Sequence, residues 1–218
     1  MCIRDRIPFT SIRDDGFYQS NLGAVEGIDD AVDIMRTYAK NVTLDRQKYQ
    51  ERPLSVWCEA RGMTPMLEGV AEEYGIPVMS SGGFDSLTTQ HKMGADLAKT
   101  DGLVLHLGDY DPSGVHMFTA LEENIVSFAE AYGGSPEMER IAILPEQIVE
   151  HDLPTAPPKK TDKRKFNDHR TVQLESFSPD VLLGLLRSEI DARIDKDALA
   201  RAISEEQGVR TELTRRLG

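Results

Sequence analysis

The stretch LVLHLGDYDPSGVHMF, residues 103–118, joins an apolar run to an amphipathic one through a turn that carries two carboxylates one residue apart. Its first five residues are short, apolar and followed by Gly108, and they read as a buried strand. Beyond Pro112 the apolar residues recur at helical spacing, so a helix is expected from about 112 to 132. Asp111 before Pro112 is a good N-cap followed by a residue suited to the first helical position, so it has a structural role of its own. Asp109 has no such local reason. In a parallel sheet the loops after the strands form the ligand crevice, and both acids fall there. Neighbouring carboxylates repel, and a divalent cation with oxygen ligands relieves that repulsion, Mg²⁺ being usual where phosphates are handled.

The pattern repeats outward from this turn. LSVWCE, residues 54–59, reads as a strand, and MTPMLEGVAEEYG then puts Met63, Met66, Leu67, Val70 and Tyr74 at helical spacing, with Thr64 as the expected N-cap, Pro65 in the first turn and Gly75 past the end. IPVMSS is a second strand, and Leu87, His91, Gly94, Ala95 and Ala98 mark one face of the next helix. After the long helix, ERIAIL is a fourth strand and PEQIVE a short helix. Strands alternating with helices at this length predict an α/β fold, a parallel Rossmann-like sheet flanked by helices. Glu59 closes the first of these strands and is expected at the same sheet edge as the Asp pair. Ser81, Gly82 and Gly83 lie in a loop that can offer backbone N–H groups to a phosphate, although two glycines equally suit a plain turn. His106, inside an apolar strand, reads as a buried core residue, as does Trp57, whereas His116 falls in the first turn of the long helix near the acidic edge.

The segments divide the chain into four. Residues 1–50 lack a core pattern, apart from GIDDAVDIMRTYAKNV with Ala31, Ile34, Met35 and Tyr38 on one face. The opening MCIRDR resembles a translated sequencing-adapter remnant, so Met1 is not read as a natural start. Residues 51–153 hold the sheet. Residues 154–177 are Pro-rich and then basic, and are expected to be an extended connector. Residues 178–218 form a helical extension, opening with Ser178 as N-cap and Pro179 and carrying a stripe of Val181, Leu182, Leu185, Leu186 and Ile190.

Composition narrows the function classes. With 39% hydrophobic and 28% charged residues the chain is ordinary globular protein, and neither a membrane span nor a secretory leader is visible, so a cytoplasmic location is expected. The two cysteines, Cys2 and Cys58, exclude a disulfide framework and a cysteine-rich zinc site. A formal charge of -12 repels a polyanion, so nucleic acid contact must use a local basic segment or a divalent ion. KKTDKRKFNDHR, residues 159–170, sets Lys159, Lys160, Lys163, Arg164, Lys165 and Arg170 against only Asp162 and Asp168. A solvated linker is the competing reading of that run.

Glu at the end of one strand with Asp-x-Asp at the end of a later one resembles a toprim domain. GDYDPSG resembles the branch that contains the A subunit of type IIB topoisomerases (topoisomerase VI-like) and the related meiotic DNA-breaking transesterase, and is most like a bacterial and phage toprim group similar to that subunit. The likeness runs through VWCEARGMTPMLEGVAEEYGIPV, SSGGFDSLTT, LHLGDYDPSG, LPEQIVEHDLPTAPPKKTDKR and VQLESFSPDVLLGLLRSEIDARID. It implies Mg²⁺ at Asp109 and Asp111, Glu59 as metal ligand or general acid/base, and DNA as partner, with RNA and a homodimer or partner subunit left open. The family usually has Lys or Gly directly after the Glu. Here Ala60 intervenes before Arg61, so Arg61, Ser81, Gly82 and Gly83 become the candidate phosphate contacts and Lys159, Lys160, Lys163 and Arg164 the candidate nucleic-acid contacts.

The resemblance also implies a nucleophilic tyrosine on a winged helix ahead of toprim. Tyr18, Tyr38 and Tyr49 precede Glu59 without a helix-turn-helix pattern, so cleavage by a tyrosine of this chain is not expected. Two other classes compete with a Mg²⁺-dependent enzyme of nucleic-acid phosphodiesters. A haloacid-dehalogenase-type phosphatase also has Asp-x-Asp after a strand, but its hydroxyl residue is matched only by Ser113 and its later motifs are not evident. A non-catalytic nucleic-acid or partner-binding module is the third.

Overall fold

The computed structural model describes residues 24–83 and 86–217. Of these, 43–209 form one compact unit, and 24–42 with 210–217 form a second. The larger unit is an α/β fold around a four-stranded, all-parallel sheet. Its strands are β1 (Leu54–Cys58), β2 (Val78–Ser80), β3 (Leu103–Leu107) and β4 (Glu137–Ala142), in the order β2-β1-β3-β4. Both faces are covered, which is why β1 and β3 are buried at every position rather than alternating with solvent.

Alternation still sorts the side chains between two cores. Val56, Cys58, Leu103, Leu105, Leu107 and Ile141 pack with α2 (Thr64–Ala71) and α6 (Pro179–Asp191), the latter through Leu182, Leu186 and Ile190. Trp57, Val104 and Met138 face the other way, onto α4 (Pro112–Ala131) through Leu121 and Ile125, with Met93 and Leu97 of α3 (Leu87–Leu97) beside them. α3 and α4 approach closely because Gly94 lacks a side chain, and a Cβ there would lie 2.7 Å from that of Phe128. The packed face of α3 therefore centres on Gly94, and Leu87, expected on it, is 64% exposed.

The helix starts follow the expected chemistry with two exceptions. Ser86 caps α3 by accepting from the Thr89 N–H, and Asp111 caps α4 by accepting from the Gly114 N–H at 2.7 Å. Thr64 is instead the first residue of α2, its hydroxyl buried without a hydrogen-bond partner, and Ser178 precedes α6 with no side-chain cap bond. Gly75 ends the next turn at φ 70, the left-handed region that favours glycine.

After α5 (Pro145–Glu150) the basic segment doubles back rather than running straight. Ala156 pairs with Thr171 and Tyr110 with Val172 in two isolated antiparallel bridges. Within the larger unit the part of α7 (Lys196–Leu217) up to residue 209 holds the chain before β1. Its Glu206, 1% exposed, accepts from the Leu44 N–H and from Nε and Nη2 of Arg46. In the smaller unit α1 (Ile28–Asn41) leaves Ile34, Met35 and Tyr38 exposed and buries Ala39. Among the described residues no helix is long and apolar enough to cross a membrane.

Candidate functional site

Parallel pairing of β1 with β3 brings the ends of both strands to one edge. The Glu59 N–H donates to the Leu107 carbonyl, and the Asp109 N–H donates to Glu59 Oε2 at 3.2 Å. Asp109 Oδ1 accepts from the Leu174 N–H at 2.8 Å, and Asp111 Oδ1 from Gly114. Each of the three carboxylates thus spends one oxygen on the fold, and no hydrogen bond from a described residue reaches the other.

The glycines of GDYDPSG make room for this arrangement. A Cβ on Gly108 would lie 2.5 Å from Glu59 Oε2, and one on Gly114 would lie 2.5 Å from the Asp109 carbonyl oxygen. Arg140, on β4 in register with His106, holds the turn together. Its guanidinium donates to the carbonyls of Gly108 (2.7 Å), Asp109, Gly114 (3.4 Å) and Ile143 (3.4 Å), and its carbon lies 5.9 Å from the Phe118 ring centroid. Sequence reading missed Arg140. The available signal was a charged residue two places after Met138, on the side of β4 that faces a core.

Electrostatics express the crowding. Burial, then the Asp109 charge, pushes the Glu59 carboxyl above its ordinary value. Asp109 is pushed up by burial and by Glu175 and Asp111, against the pull of the Leu174 N–H. Burial lowers Arg140, while Glu59, Asp109 and Asp111 pull it back up. Cys58 is buried and its thiol is pushed up to about 12, chiefly by burial, so it is inert at neutral pH.

Among the described residues no three His, Cys, Asp or Glu side chains close around one point as a metal cage. The donor set fits a hard cation in another way: oxygen ligands only, with the carboxyls of Glu59 and Asp109 raised in part by acidic neighbours whose repulsion a cation would relieve. Mg²⁺ commonly keeps several waters and takes one or two carboxylates together with substrate phosphate. Asp109 and Asp111, each with one uncommitted oxygen, are the residues that would hold it.

The remaining expected residues divide around the first turn of α4. On one side a cavity of about 680 Å³ is lined by Asp111, Ser113, Lys159, Thr161, Asp162, Lys163 and Arg164. Lys160 is exposed outside that lining, and Arg164 is paired with Asp162 at 2.9 Å. On the other side a cavity of about 450 Å³ includes Glu59, Ser81, Gly82, His106, Gly114 and Phe118. Ser81–Gly83 forms a 3-10 turn, while Phe84 and Asp85 of the same loop lie outside the described residues. Arg61 and His116 are exposed and line neither cavity. His106 and Trp57 are buried as expected. Tyr18 lies outside the described residues, Tyr38 is on α1, and the Tyr49 hydroxyl donates to Glu205 at 2.5 Å.

Sequence missed the segment that closes the edge from above. Tyr110 exchanges two backbone hydrogen bonds with Val172, its hydroxyl donates to Asp168 at 3.3 Å, and its ring packs on Phe166. No family model matches the chain, and no curated protein matches it.

Proposed function

We propose that this chain is a Mg²⁺-dependent toprim protein acting on nucleic-acid phosphodiesters, nuclease-like or topoisomerase-like, with DNA as the favoured substrate. The observation that supports it most is adjacency: Asp111 and Ser113 line the same cavity as Lys159, Lys163 and Arg164. Carboxylates alone repel a phosphodiester, and basic side chains alone only bind one. Together they neutralise the strand and place it beside a cation site.

Bound Mg²⁺ supplies Lewis-acid stabilisation of charge on the phosphate. Asp109 and Asp111 hold the ion, and the Leu174 and Gly114 N–H groups fix how those carboxylates point. Glu59, with its proton affinity raised, is suited to proton transfer at the same edge. Arg140 donates its hydrogen bonds to backbone carbonyls and is a positioning residue. The reading assigns no nucleophile to Tyr49, whose hydroxyl is committed to Glu205.

Calorimetric Mg²⁺ titrations of wild type and Asp109→Asn, beside cleavage of supercoiled plasmid and single-stranded DNA with and without chelator, test this. Asp109→Asn should weaken Mg²⁺ at least about tenfold, abolish cleavage and leave the salt dependence of DNA binding unchanged. Equal Mg²⁺ affinity in the two proteins would sink the assignment.

A further inference from the structure

The cavity between the N-terminal halves of α3 and α4 lies across the first turn of α4 from the basic loop. Among the described residues its lining contains Glu59 but no Lys or Arg. Its other polar side chains, Ser81, Gln90 and His106, are neutral at pH 7. His106 is 3% exposed, and burial pushes its imidazole down to about 3. Its Nδ1 is shut off from solvent with no hydrogen-bond partner among the described residues, and its Nε2 lies 3.5 Å from the Ser81 hydroxyl. Gln90 adds an amide whose Oε1 accepts from Asn124 Nδ2 at 2.9 Å, which fixes its orientation. The opposite wall is apolar: Met117, Leu121 and Phe118, whose ring centroid lies 4.7 Å from that of His106.

We propose that this cavity is a nucleobase pocket, which receives the base of the nucleotide whose phosphate lies at Asp109 and Asp111. The inference rests on the phosphodiester reading above. The volume, about 450 Å³, lies within the range of small-molecule sites. A neutral, planar ligand with a donor-and-acceptor edge and an aromatic face meets Ser81 and Gln90 along that edge and Phe118 on that face. Glu59 and Gly114 belong both to this cavity and to the acidic edge, and Asp111 and Ser113 belong to the basic one. The first turn of α4 is therefore a divide, with the backbone of the strand on one side and the base on the other.

The test compares a short single-stranded DNA with an abasic strand of equal length, and follows free dAMP and dTMP through Trp57. Trp57 is the sole tryptophan, is buried, and pairs in register with His106. The wild type should bind the base-bearing strand at least about tenfold tighter than the abasic one. Phe118→Leu should erase that ratio, Phe118→Trp should keep it, and Gln90→Ala should reduce it without emptying the core. Replacing Lys159, Lys160, Lys163 and Arg164 with Gln should weaken both strands alike and preserve the ratio. Equal, salt-dependent binding of both strands by the wild type would overturn the pocket and spare the phosphodiester reading. A Trp57 response to free nucleotide without strand binding would support the pocket and end that reading. Silence in both assays would end the two together.

Discussion

The acidic turn and the basic loop lie side by side, yet they are built by opposite rules. In the turn each carboxylate accepts a backbone N–H, Arg140 gathers three of the turn's carbonyls, and Gly108 and Gly114 leave no space for a Cβ. In the loop the lysines are exposed, and Arg164 pairs only with Asp162 two residues away. Fold energy thus determines where the acids stand. The bases are placed by the ends of their loop and by the contacts of Phe166 and Asp168 with Tyr110. On the proposed function, chemistry that tolerates little displacement falls to the first, and charge that acts through several ångströms to the second.

Four experiments would break or sharpen that contrast. The largest effect is expected from Arg140→Met, which strips the turn's carbonyls of their donor and leaves the acids unbalanced. It should lower stability by about 3 kcal/mol or more in denaturant melts and abolish Mg²⁺-dependent cleavage. Arg140→Lys should rescue little, because an ammonium lacks the forked donors. Full activity in Arg140→Met would show that the turn holds itself.

Gly108→Ala comes next, since its methyl would meet Glu59 Oε2 and His106 Cε1, the latter at 2.8 Å. A loss of about 1–3 kcal/mol is expected. If the variant melts like wild type, the turn is looser than its contacts imply.

His106 makes the contrast pH-dependent. An unfolded imidazole takes a proton below about pH 6.5, whereas the folded one resists until about 3. Its share of stability is complete above that upper value and is lost as pH falls through the window, about 1–2 kcal/mol by pH 5. Chemical denaturation of His106→Leu at pH 7 and 5 should therefore show a shallower loss than wild type. Parallel losses would mean that His106 is not the group responsible.

The smallest change in stability, within about 0.5 kcal/mol, is expected when Lys159, Lys160, Lys163 and Arg164 are replaced with Gln. DNA binding should then lose roughly one unit of salt slope per lost phosphate contact. An unchanged slope would reduce the loop to a solvated linker.

The sheet was legible because local pattern and global fold agree. VWC alternates between two cores, and Pro65, Asp111 and Gly75 punctuate where the chain turns. Glu59, Asp109 and Asp111 were legible as residues at strand ends, and parallel pairing brings those ends together. Arg140 and Leu174 were not, because their contacts depend on register and on a return of the chain more than thirty residues away from Gly108 and more than sixty from Asp109. Periodicity reports which face a residue occupies, never which carbonyl it will meet. Leu87 failed for a related reason: helical spacing marked it as apolar, while Gly94 decided which face could approach α4.

The pairing of Ala156 with Thr171 separates inventiveness from precision. It clamps the two ends of the basic loop together, so residues 157–170 are a closed excursion from a fixed base. Doubling the length of such an excursion costs only about 0.6 kcal/mol of closure entropy. Charge swaps at Lys159, Lys160, Lys163 and Arg164, which leave Phe166 and Asp168 on Tyr110, can therefore change the loop's grip without moving a carboxylate.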